Sequence, residues 1–142
     1  MAGAAGVTGS AGTPLARKLR IKPGHRVVLR HAPAGWALPD LPDGVRVGTG
    51  QAAVADADVV LAFFRSADEL RHDATGLVDA LQPASCLWVL WPRRAAGHTS
   101  DLTDRLLREV LLPLGVVDVK VAAVGEDWSG LAFVWRRENR PS

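Results

Sequence analysis

Side chains that bind or transfer charge follow several apolar runs of this sequence. Arg30 and His31 follow one, with Trp36 shortly after; Arg65 and Ser66 follow a second; Trp91, Arg93, Arg94, His98 and Thr99 close a third. Guanidinium forks and hydroxyls gathered together are the chemistry of phosphate or carboxylate recognition, because a planar guanidinium meets two oxygens at once. Trp36 and Trp91 would offer a flat face to a ring. Arg30 aside, these nine residues are the expected ligand-binding set.

Catalytic chemistry has fewer candidates, and no catalytic residue is assigned. His31 or His98 could serve as a general acid or base, since imidazole is the side chain that titrates near neutrality when unperturbed. The competing reading is a histidine on a surface loop. Cys86 sits in an apolar run, where a buried thiol is inert. Ser129, in Trp128-Ser129-Gly130, lacks the flanking glycines of a nucleophile elbow. The histidines at 25, 31, 72 and 98 have no metal-ligand spacing, so no metal is expected. Asp56 and Asp58 precede a strand and read as turn residues.

The elements that would position the set follow from periodicity. The apolar runs at 26–29, 57–64 and 86–91 read as strands covered on both faces, with a short strand at 45–47 beyond a Pro- and Gly-rich loop over 32–44. Ser66 followed by Glu69 has capping-box spacing, and Leu70, Ala74, Leu77, Val78 and Leu81 then recur at helical intervals. A second stripe, Leu102, Leu106, Leu107, Val110 and Leu111, predicts another helix starting near Thr99 to Asp101 and ending at Pro113 and Gly115. Residues 116–124 and 130–137, joined by Gly125, Glu126 and Asp127, read as an antiparallel hairpin. Thr13 before Pro14 predicts a capped short helix over 14–19. Trp88 and Trp91, three apart on a strand, should face opposite sides of the sheet. The fold class is therefore α/β: a three-layer, Rossmann-like, mostly parallel sheet ending in an antiparallel hairpin.

Such a sheet locates the site. Ligands sit beyond the carboxyl ends of its strands, where helix amino termini also favour anions. All nine candidates fall there.

With 142 residues, 48% of them hydrophobic, the chain suits one domain, expected over 13–138 with tails at 1–12 and 139–142. The run at 81–92 is too short to span a membrane. The first 12 residues lack the pattern of a secretory signal, and a single cysteine excludes an internal disulfide, so a cytoplasmic address is expected. The net charge is +2, but the first 50 residues hold seven basic and two acidic side chains, so the basic surplus is local. Nucleic-acid binding through that amino-terminal segment is one alternative. A homodimer through the aromatic hairpin is another possible partnership.

Three blocks carry a resemblance. Thr13-Pro14-Leu15-Ala16 with Ile21-Lys22-Pro23-Gly24, Leu87-Trp88-Val89-Leu90-Trp91-Pro92-Arg93, and Val117-Asp118-Val119-Lys120-Val121 with Trp128-Ser129-Gly130-Leu131 resemble an uncharacterised bacterial domain family of unknown function. From Asp58 onward the element order also resembles the second half of class I methyltransferases, which use S-adenosylmethionine. That resemblance implies a glycine-rich loop after the first strand and a carboxylate closing the second. Here the first strand runs into Arg30-His31-Ala32-Pro33-Ala34-Gly35-Trp36, and the usual adenosylmethionine loop is not recognisable, so the cofactor is unassigned. The resulting expectation is a non-catalytic binding module for an anionic small molecule or a protein partner. An enzyme using a histidine at the same edge is the alternative.

Overall fold

The computed structural model describes residues 14–141; Thr13 and the tail expected over 1–12 lie outside the described residues. The apolar runs form strands β1 (Arg26–Arg30), β2 (Arg46–Thr49), β3 (Val59–Phe63) and β4 (Cys86–Pro92), followed by the hairpin β5 (Val116–Val124) and β6 (Trp128–Trp135). They make one six-stranded sheet in the order β2-β1-β3-β4-β6-β5. The first four are parallel, and β6 runs antiparallel to both neighbours.

Strand alternation divides the core into two layers. Val60 and Ala62 of β3 join Leu87 and Val89 of β4 beneath α2 (Ala67–Ala80) and α3 (Asp104–Leu111). Val59, Leu61, Phe63, Trp88 and Leu90 face the other way, toward a thinner cover: the single turn α1 (Leu15–Lys18) and Trp36, Leu38 and Leu41 of the long loop. Trp88 and Trp91 thus lie on opposite faces, as their spacing requires. No helix among the described residues is long and apolar enough to cross a membrane.

Several boundaries differ from the sequence reading, and the last strand covers 128–135 where 130–137 is expected. The helix expected over 14–19 is one turn, because Arg20 takes a left-handed conformation (φ 66°) and closes it. Its amide donates to the Arg17 carbonyl at 3.0 Å, and the Ile21 amide donates to that of Ala16 at 2.9 Å, a Schellman closure with arginine where glycine is favoured. The second strand covers 46–49 and is exposed throughout. The third helix starts not near Thr99 but after Thr103, whose hydroxyl oxygen accepts from the Leu106 amide at 3.1 Å. The preceding residues are held elsewhere. Ser100 Oγ donates to the Arg65 carbonyl at 2.8 Å, and Asp101 Oδ1 accepts from the Ala67 amide at 2.9 Å.

Cys86 opens β4. Burial pushes its thiol up to about 11 from 9.0, although the charges of Arg20 and Lys120 pull the other way. The folded state therefore favours the neutral thiol, and this contribution is complete below the unfolded-state pKa and lost as pH rises toward the folded value. From about pH 8 to about pH 11 the wild type should lose about 2–3 kcal/mol more stability than Cys86→Ala. The chain has no tyrosine to titrate over that range. Urea unfolding at both pH values checks this; parallel losses in the two proteins would refute it.

Candidate functional site

The parallel strands β1, β3 and β4 bring Arg30, Phe63 and Pro92 to one edge. The antiparallel partner contributes its beginning rather than its end: Trp128, first residue of β6, pairs with Pro92. This edge holds two clefts that share Arg65 as a common wall. One, of about 510 Å³, is lined by His31, Phe63, Phe64, Arg65, Glu69, His72 and Asp73. The other, of about 410 Å³, lies between residues 33–36, Arg65, Pro92, His98, Asp127 and Trp128.

The nine sequence candidates divide accordingly. His31 and Arg65 line the first cleft; Trp36, Arg65 and His98 line the second. Trp91, Arg94 and His98 border a smaller hollow of about 200 Å³. Ser66, Arg93 and Thr99 line none of the three.

Most polar groups at the edge are already engaged. His31, itself at φ 60°, places Nε2 2.5 Å from Asp73 Oδ2, and its ring lies tilted on Phe64 at 5.7 Å between centroids. His98 Nε2 lies 2.9 Å from Asp127 Oδ1. Ser66 Oγ accepts from the Glu69 amide at 3.2 Å, and Glu69 Oε1 accepts from the Arg65 amide at 2.7 Å. With Asp101 on the Ala67 amide, the amino terminus of α2 is supplied with acceptors from within the chain. The Arg93 amide donates to the Asp127 carbonyl at 2.7 Å, and its Nη1 reaches the Glu126 carbonyl at 3.5 Å.

Arg65 differs from these. Its guanidinium carbon sits 5.5 Å from the centroid of the Trp128 ring, and among the described residues the group makes no hydrogen bond or ion pair. A cation–π contact uses the ring face and leaves the N–H donors of a guanidinium free for other partners. The wall behind is aromatic: Phe63 meets Trp36 edge-on at 4.8 Å and Trp128 at 5.0 Å. The second cleft therefore combines a free fork with apolar ring surfaces.

Sequence reasoning missed Trp128 at this edge, and with it Asp73 and Asp127. For Trp128 a signal existed, because an antiparallel hairpin must deliver the start of its second strand to the carboxyl edge of its parallel neighbour. The two carboxylates had none, since each meets its histidine only through the winding of the chain.

The residues after β1 do not fit adenosylmethionine in its usual seat. Gly35, at φ 78°, is the only glycine between Arg30 and Trp36, and a Cβ added there meets nothing within 4 Å, so it serves the turn and not a close approach. The end of β2 and the residues after it, Gly48-Thr49-Gly50-Gln51, supply no carboxylate.

Comparison with family models finds no match, and comparison with curated proteins finds none. Solved structures do match. The fibrillarin pre-rRNA processing protein of Methanococcus jannaschii aligns with a TM-score of 0.58 and 12% identity, over 85% of this chain and 69% of that one. Magnesium protoporphyrin IX methyltransferase of Synechocystis gives 0.56 and 9%, over 86% and 74%. An S-adenosylmethionine-dependent methyltransferase of Aquifex aeolicus gives 0.55 and 12%, over 82% and 85%. At these identities the likeness shows fold alone: the chain has the Rossmann-like, mostly parallel α/β fold of such methyltransferases, ending in an antiparallel hairpin.

Proposed function

We propose that the protein is a non-catalytic binding module for a small organic anion carrying a planar ring, held in the cleft between Trp36 and Trp128. The observation that carries this is the Arg65 guanidinium, stacked on Trp128 and unpaired among the described residues. Its fork receives the carboxylate or phosphate, while Trp36 and Pro92 enclose the ring. His98, paired with Asp127, forms the opposite wall. The fold supports a ligand at this edge, where open parallel sheets place their crevices. The enzymatic alternative would rest on the two edge histidines, each exposed and each held by a carboxylate, His31 by Asp73 and His98 by Asp127.

Adenosine monophosphate and benzoate are suitable probes, with adenosine as the uncharged control. The monophosphate should quench tryptophan fluorescence saturably and bind about tenfold more tightly than adenosine. Arg65→Met should erase that difference while leaving stability within about 0.5 kcal/mol of wild type. Failure of both anions to saturate, or equal affinities in wild type and Arg65→Met, would refute the proposal. Tight binding of S-adenosylmethionine that survives Arg65→Met would replace it with a methyltransferase-like reading.

A further inference from the structure

The opposite edge of the sheet holds a larger cavity, of about 930 Å³, against 510 and 410 Å³ for the two clefts. It opens between α1, the turn that follows it, and the amino ends of β3 and β4. Its floor is apolar: Ile21, Val59 and Cys86 are almost fully buried, with Val134 beside them. Its rim is basic. Arg17, Arg20 and Lys22 border it, and none of their charged groups makes an ion pair or side-chain hydrogen bond among the described residues. His25 Nδ1 accepts from the Lys22 amide at 3.1 Å, which leaves Nε2 as a proton donor. Of the two rim carboxylates, Asp58 already accepts from the Arg26 amide at 2.8 Å and lies 3.4 Å from Gln82 Nε2, whereas Asp40 is exposed.

Arg20 stands out by its backbone. It holds the left-handed closing position of α1, where glycine is preferred and a side chain is strained. Folding alone does not call for a side chain there. The same turn keeps the guanidinium close enough to the floor for its charge to act on the Cys86 thiol.

From the open volume, the apolar floor and the unpaired cations together, we infer a second ligand site at the amino edge, for an organic anion with an apolar tail. The tail lies along Ile21, Val59 and Val134, and the head meets Arg17, Arg20 and Lys22. The size is that of a pocket for a small organic molecule. Neither inorganic phosphate nor an uncharged tail satisfies both parts.

Calorimetric titration of the full chain with octanoate tests the site, with octanol, octyltrimethylammonium and inorganic phosphate as controls. Octanoate should bind with one-to-one saturation, and each control should bind at least about tenfold more weakly. Arg20→Gly supplies the decisive variant. It relieves the strained backbone, so the melting temperature should hold or rise while octanoate affinity falls about tenfold. Arg105→Ala, which removes an equal charge on α3, should change neither. The inference is overturned if octanoate fails to saturate, if any control binds as well, or if Arg20→Gly retains wild-type affinity. Should Arg20→Gly fold poorly, Lys22→Ala reads the same loss of affinity at an exposed residue, and unchanged affinity there is equally fatal.

Discussion

Trp88→Ala should lower the free energy of unfolding by about 4 kcal/mol, close to half the stability of a typical domain of this size. The side chain is fully buried in β4, between the sheet and the thin layer made by α1 and the long loop. Its indole N–H donates to the Leu19 carbonyl at 3.0 Å, so the residue fills the layer and ties down the end of α1. The two roles separate experimentally. Trp88→Phe keeps most of the apolar volume and leaves the buried Leu19 carbonyl without its donor, which should cost about 1–2 kcal/mol. Urea unfolding of both variants measures the division. A loss below about 1 kcal/mol for Trp88→Ala would mean that α1 seals nothing. Because α1 borders the amino-edge cavity, Trp88→Phe should also weaken octanoate binding while leaving adenosine monophosphate binding intact.

The pairing of Trp88 with Leu19 marks the limit of what the sequence reveals. Patterns that repeat along one element were legible. The unbroken apolar runs at 57–64 and 86–91 identified the central strands, and Ser66 with Glu69 identified the start of α2, where the expected cap bond is present. Burial on both faces leaves a strand uniformly apolar, and an amphipathic helix has only one face to bury, so both signals are strong. The start of α3 was misplaced because Ser100 and Asp101 look like helix-opening residues and in fact hold Arg65 and the first turn of α2. Capping chemistry shows that a residue caps something and not which helix it caps.

The candidate site was legible to a similar depth. Its edge followed from the parallel strands, and Arg65, Trp36 and His98 do line one cleft. That His31 turns to Asp73 instead, across 42 positions, follows from how α2 packs beside β1, and no local spacing encodes it. The amino-edge cavity left no trace in the sequence reading for a related reason. Part of its border, Asp40 and Pro42, belongs to the long loop, which comes back beside the turn after α1 where the Gly24 amide donates to the Asp43 carbonyl at 2.9 Å.

Gly130→Val should be the most disruptive single change in the hairpin, lowering stability by about 3 kcal/mol or more, with Gly130→Ala costing about 2. In β6, Gly130 pairs with Leu90 on one side and Ala122 on the other. A Cβ there would come within 2.7 Å of Leu90 Cδ2, 3.0 Å of Trp88 Cε3 and 3.2 Å of Val124 Cγ2. Leu90 could turn aside only into a layer that is already filled, and the Trp88 ring is held by its hydrogen bond to Leu19. The strand must therefore move away from the sheet on this face. Trp128 lies two residues earlier on the same face, carrying the ring on which Arg65 stacks, so the displacement reaches the cleft. Gly130→Ala, the milder variant, should remain folded and bind adenosine monophosphate several-fold more weakly, with unchanged affinity for octanoate at the other edge. A wild-type urea midpoint for Gly130→Ala would show that the core has room there and that Trp128 is positioned by something other than the close contact of β6 with β4.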